Sequence, residues 1–180
     1  LLATIPVTDT ECRMALQLQF AALLGFAALM LIAAIEDLRR LIIPNVLIIA
    51  LCLLWPLYIV ATPSWLGIAG SLAAAILVFL AGALAFSRGY LGGGDVKLLA
   101  AATLWAGPGQ APALLVLTGV LGGMLALFLL MPQGAHIAEL ARAKLGPAES
   151  ATKPETATPV PYGIAITAAA MLVIFLPHFR

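Results

Sequence analysis

Charge is what this sequence has least of. Charged residues fill 9% of its 180 positions, against about a quarter in ordinary soluble domains, and hydrophobic residues fill 63%. That balance excludes a soluble globular fold, which needs far more polar side chain to cover its surface. The net charge of +1 comes without a run of Lys and Arg, so a phosphate-binding surface and a nucleic-acid partner are excluded too. Cysteine is equally scarce. Cys12 and Cys52 stand far apart and outside any Cys-x-x-Cys pair, which leaves neither a zinc site nor a disulfide framework to expect.

What the chain has in quantity is long apolar runs. A bilayer core needs about 20 mostly apolar residues in helical form, because an unpaired backbone group is intolerable in hydrocarbon. Six segments meet or nearly meet that demand: residues 15–35, 46–61, 66–86, 96–106, 112–131 and 161–177. The expected fold is therefore all-α, a polytopic membrane bundle of about six transmembrane helices, with the short fourth segment tilted or buried among its neighbours. Met14 opens the first run, so residues 1–13 are read as a tail or extension and 14–180 as the membrane domain. The first run has no basic region before it, is too long for a signal-peptide core and ends in Glu36-Asp37-Leu38-Arg39-Arg40, so it reads as a spanning helix. Between Pro132 and Val160 the chain turns polar; a short interfacial helix is expected at 135–145, followed by a Pro- and Thr-rich loop.

The basic residues sort by loop. Arg39 and Arg40, then Arg88 with Lys97, then Arg142, Lys144 and Lys153 fall on one side of the six-span arrangement, while 62–65 and 107–111 have no charge. The positive-inside rule puts the first set in the cytoplasm and both termini outside.

Of three Asp and five Glu, Asp9, Glu11, Glu139, Glu149 and Glu155 lie in the tail or the polar loop, which leaves Glu36, Asp37 and Asp95. An acid at the end of a membrane helix is costly and so a functional hypothesis by default. Asp37 closes the first span and Asp95 opens the fourth, placing both at the cytoplasmic face. Two carboxylates meeting there would share one proton, one acting as base toward water while the other polarises a peptide carbonyl. Each also has a plainer reading. Asp95 could cap a helix starting at Val96, and Asp37 could be a solvated carboxylate paired with Arg40. Glu36 competes with Asp37, since a helix turns about 100° per residue and both cannot face the interior equally. Gly92-Gly93-Gly94 ahead of Asp95 allows close approach of another backbone. Lys97 is read as a positive-inside anchor or as a cation holding one carboxylate ionised, with the second preferred. Pro44 suits the start of the second span and Asn45 its cap. Gly119 and Gly123 have the spacing for close helix packing, and His136 and His178 read as interfacial.

Taken together, Asp37-Leu-Arg-Arg-Leu-Ile-Ile-Pro44-Asn45, Gly92-Gly-Gly94-Asp95-Val-Lys97 and Pro161-Tyr162-Gly163 resemble, in order and in a six-span frame, the three signatures of type IV prepilin peptidases, membrane aspartyl proteases of the Gly-x-Gly-Asp class. The resemblance implies that Asp37 and Asp95 are the catalytic pair, supported by Gly92, Gly94, Lys97, Pro44, Asn45, Pro161, Tyr162 and Gly163. It further implies prepilin or pseudopilin substrates, cleaved at their short basic leader on the cytoplasmic face of a bacterial inner membrane, with no cofactor and no metal. Larger members of that family have a cytoplasmic insert with paired Cys-x-x-Cys motifs and methylate the new N-terminus. Here only the nine-residue signature from Asp37 to Asn45 joins the first two spans, so the chain resembles the short form of Flp or tight-adherence pilus systems, without methyltransferase activity. Presenilin-like proteases share Gly-x-Gly-Asp, but their Tyr-Asp and Pro-Ala-Leu patterns are missing. The competing expectation is a small transporter or channel using the same acids as a proton or cation relay.

Overall fold

The computed structural model describes residues 9–61, 65–144 and 160–176. They form α1 (Asp9–Arg40), α2 (Asn45–Ala61), α3 (Trp65–Ser87), α4 (Gly93–Leu130), α5 (Pro132–Lys144) and α6 (Tyr162–Phe175), with no strand among the described residues. Three of these, α1, α3 and α4, are long and apolar enough to cross a membrane, and α2 and α6 are shorter apolar helices. The molecule is a helical membrane bundle. Its outward faces are apolar: Leu24, Leu31, Val46, Leu53, Leu77 and Val116 are all exposed. Water would not tolerate such a surface, whereas lipid does, because the backbone is already satisfied inside each helix.

The interior is assembled from large apolar side chains and a few polar ones. Phe26, Met30, Leu51, Leu98, Leu114 and Ile166 are fully buried, together with the hydroxyl-bearing Thr103. Thr103 Oγ1 donates to Leu99 O within its own helix, and Thr167 Oγ1 donates to Met30 O across from α6 to α1. Lipid cannot satisfy a hydroxyl, so such bonds are the way a membrane interior accommodates one.

The fourth and fifth apolar segments are joined in one hydrogen-bonded element, α4, that reverses direction at Gly107. Gly107 has φ 70° and ψ 174°, a conformation open essentially to glycine, and Pro108 follows it. In a straight helix Asp95 and Gly122 would be about 40 Å apart. Instead Gly122 packs on the Tyr162 ring, next to Gly163, which is bonded to Asp37 in the neighbourhood of Asp95. The first limb of α4 runs antiparallel to α3, with Gly82 against Val96 at one end and Gly70 against Pro108 at the other.

Several details differ from the sequence expectation. Helix α1 begins at Asp9, within the stretch read as a tail or extension, because nothing in residues 9–13 breaks a helix. Gly119 and Gly123 face open space, and the close-packing glycine is Gly122 between them, one residue before Gly123 and three after Gly119 and so on a different face from both. Helix α4 starts at Gly93, three residues ahead of the expected boundary, its first N–H groups lying in the glycine run. A helix is present where a short one was expected, α5 at Pro132–Lys144; the loop after it, residues 62–64 and His178 lie outside the described residues.

Candidate active site

Asp37 sits in the last turn of α1. The helix ends three residues on, where Leu41 adopts φ 54° and its N–H donates to Asp37 O at 2.9 Å. This is a left-handed stop of the kind glycine normally supplies, and in leucine it costs about 1–2 kcal/mol. The turn sends the chain straight into Ile42-Ile43-Pro44 and the start of α2. Asp37 is 4% exposed, and its Oδ2 accepts the Gly163 N–H at 2.7 Å. Arg40 pairs with Glu36 instead, at 3.1 Å. The reading of Asp37 as a solvated partner of Arg40 is therefore overturned: one step of about 100° round α1 puts Asp37 inside and Glu36 at the rim.

Asp95 comes from the other side. Gly92, with φ −73° and ψ 142°, is the N-cap of α4, so Asp95 is the third helical residue and not a cap, which was its plainer alternative reading. Its carboxylate reaches back to the Gly92 N–H, the half of a capping box that an acid at this position makes. Asp95 is half-buried and feels the charge of Asp37. Asp37 thus accepts a backbone N–H from the start of α6 and Asp95 one from the start of α4, and the two carboxylates lie near enough for Asp95 to feel the charge of Asp37 where three helix ends meet.

Glycine makes that meeting possible. A Cβ on Gly163 would lie 2.8 Å from Asp37 Oδ2 and 3.0 Å from its Cγ, and one on Gly94 would lie 3.2 Å from Ile43 Cβ. Gly94 thereby lets the α1–α2 connection lie on the first turn of α4, with Ile43 buried between them. Pro161 is fully buried and Tyr162 leans on Gly122, so α6 starts inside the protein with its N-terminus aimed at Asp37. A helix N-terminus is a favourable place for a carboxylate.

Two supporting residues are placed differently from expectation. Lys97 Nζ donates to Asn45 Oδ1 at 2.9 Å and to neither carboxylate, because Lys97 lies about 200° round α4 from Asp95. Asn45 is the first residue of α2, and its side-chain oxygen serves Lys97, not its own helix. Pro44 precedes α2 and its carbonyl accepts the Leu47 N–H. The contribution of Ile43, Leu41 and Gly122 to the site was missed from sequence; Leu41 and Ile43 lie within the Asp37–Asn45 signature, but apolar side chains there gave no signal of their own. No group of three or more His, Cys, Asp or Glu converges among the described residues.

A family model for the type IV leader peptidase family matches residues 24–127, more than half of the chain. The chain belongs to that family. It is accordingly a membrane peptidase, and the matched segment contains both Asp37 and Asp95 while Pro161-Tyr162-Gly163 lies beyond it. No curated protein and no solved structure matches the chain.

Proposed function

We propose that this leader peptidase family member is a prepilin peptidase in which Asp37 and Asp95 activate water. The observation that carries the reading is the convergence of two acids, in a chain that has few, on one site bounded by backbone N–H groups. Two carboxylates at close quarters share a proton. The ionised one takes a proton from water as it attacks the scissile carbonyl while the protonated one gives its proton to the carbonyl oxygen; the first then passes the proton it gained to the departing amine as the C–N bond breaks, and the second takes one back from the gem-diol hydroxyl. The Gly163 and Gly92 N–H groups each occupy one carboxylate oxygen and fix the orientation of the pair. A proton or cation relay would want acids along the middle of a helix, whereas these lie in the last turn of α1 and the first turn of α4.

The substrate is a type IV prepilin or pseudopilin, and its short basic leader is removed at the cytoplasmic face of the inner membrane. What supports this side is the grouping of Arg39, Arg40 and Arg88 at the helix ends around the acids. Six spans with both termini outside, a peptidase domain over 14–180 and a cytoplasmic loop at 132–160 complete the reading. Four residues, Leu41 to Pro44, separate α1 from α2, which leaves no space for a zinc-binding insert, so cleavage proceeds without methyl transfer. Purified protein should cut a prepilin peptide and leave unchanged the same peptide with its cleavage-site glycine replaced, with or without chelator. Uncut prepilin peptide, loss of activity on chelation, or methyl transfer from S-adenosylmethionine would each count against a part of it.

A further inference from the structure

On the far side of α4 from Asp95, a groove of about 250 Å³ runs between α2 and α3. Its floor is the stripe Lys97, Ala100, Ala101 and Leu104, at the i, i+3, i+4, i+7 spacing of one helix face. Asp95, Leu98 and Ala102 lie on the opposite stripe, the last two with no exposure. The walls are Ile48 and Cys52 from α2 and Ala75, Ile76 and Phe79 from α3. Cys52, Ile76 and Phe79 are exposed, so the groove opens sideways to the surrounding hydrocarbon.

Lys97 lines one end of this slot with its apolar stem, and its ammonium stands beside that end. Lys97 is the lining residue nearest the start of α4, and its ammonium is bonded to Asn45 Oδ1. Among the described residues no carboxylate pairs with it. An ammonium has three donors and a side-chain amide two; one of the five is used in the Lys97–Asn45 bond, and among the described residues the others have no acceptor. The slot and its end together describe an amphiphile with an anionic, oxygen-rich head and a linear apolar tail.

We propose that the groove between α2 and α3 is a binding site for an anionic phospholipid, its phosphodiester on Lys97 and Asn45 and one acyl chain along Ile48, Cys52, Ala75 and Ala100. Basic pockets between helices at the cytoplasmic side of a membrane are suited to such headgroups. A substrate helix is the less fitting occupant, because α4 itself stands between the groove and the acids and the chain would have to cross over its first turn.

The test uses the full chain in nanodiscs with phosphatidylglycerol or phosphatidylcholine bearing a photoactivatable acyl chain, and maps the adducts by mass spectrometry. Phosphatidylglycerol should label the segments around Ile48–Cys52 and Ala75–Phe79 about fivefold more than phosphatidylcholine, the preference one lysine near a membrane surface supplies. Lys97→Gln should equalise the two lipids, and Ala75→Leu, which fills the slot, should lower labelling by both. Equal labelling in the unmodified protein, adducts spread evenly round the bundle, or a preference that survives Lys97→Gln would overturn the site. Displacement of the lipid adducts by an apolar prepilin helix that itself cross-links to Cys52 would give the groove to the substrate. The readout is binding, so its outcome is independent of whether cleavage is observed.

Discussion

Where Asp37 and Asp95 meet, backbones come within touching distance: Gly163 on Asp37, Gly94 on Ile43, Gly122 under the Tyr162 ring. At the opposite end of the bundle, round the Gly107 reversal, aromatic rings fill the space instead. Trp105 stacks at a tilt on Phe26 and Tyr58, with centroids 4.7 and 5.5 Å away, and its Nε1 donates to Leu51 O at 3.1 Å. A cavity of about 310 Å³ bounded by Trp55, Tyr58, Ser71, Trp105 and Pro108 remains between them. The first end is held by short polar contacts and close backbone approaches, the second by broad apolar surfaces with slack. Chemistry needs reacting groups held to a fraction of an ångström, whereas a helix reversal needs only to stay packed. Changes at the first end should therefore be read in turnover, and changes at the second in stability.

The sharpest way to break that contrast is at the acids. Asp37→Asn and Asp95→Asn keep shape and hydrogen-bonding capacity but remove the titrating group, so each should cut prepilin cleavage by about a thousandfold or more, and the double variant should be little worse than either. Near-normal cleavage by both single variants would end the aspartyl-peptidase mechanism. Next comes Gly163→Ala, whose added methyl group collides with Asp37. Displacing a catalytic group by about 1 Å costs on the order of a hundredfold in rate, so kcat should fall by about that much while the protein stays folded, as judged by thermal unfolding in detergent.

The opposite end should behave in the opposite way. Gly107→Ala forces a side chain into a region near φ 70° and within 3.2 Å of Ser71 Oγ, at a cost of about 1–3 kcal/mol. A lowered unfolding temperature with unchanged kcat in the folded fraction is the expected result; lost turnover at full stability would mean that the two ends are coupled. Trp105→Phe keeps the ring contacts but leaves the buried Leu51 carbonyl without its indole donor, a loss of about 1–3 kcal/mol read the same way. The smallest effect belongs to Glu36→Gln. It removes a partly exposed i, i+4 pair with Arg40 worth about 0.5 kcal/mol, and cleavage should stay near normal. A dead Glu36→Gln beside an active Asp37→Asn would exchange the roles of the two neighbours.

The membrane class, the helical frame and the identity of the two candidate acids were legible in the sequence, because each rests on a local property. A run of apolar residues must be helical in lipid wherever it packs, and an acid at the edge of such a run stands out against a background with few charges. The choice between Glu36 and Asp37 was legible only through the family resemblance, and not from helix periodicity. It depends on which face of α1 meets α6, and the reach from residue 37 to residue 163 is settled only when the bundle closes. The same holds for Lys97, which a linear reading put beside the carboxylates and the rotation of α4 turned toward Asn45. Gly122, chosen over the better-spaced Gly119 and Gly123, makes the point for packing. Sequence by itself determined which residues were out of place in a bilayer, since that is a matter of each residue and its solvent; only the tertiary structure decided which of them face one another, since that is a matter of helix phase, and one residue of phase is about 100°.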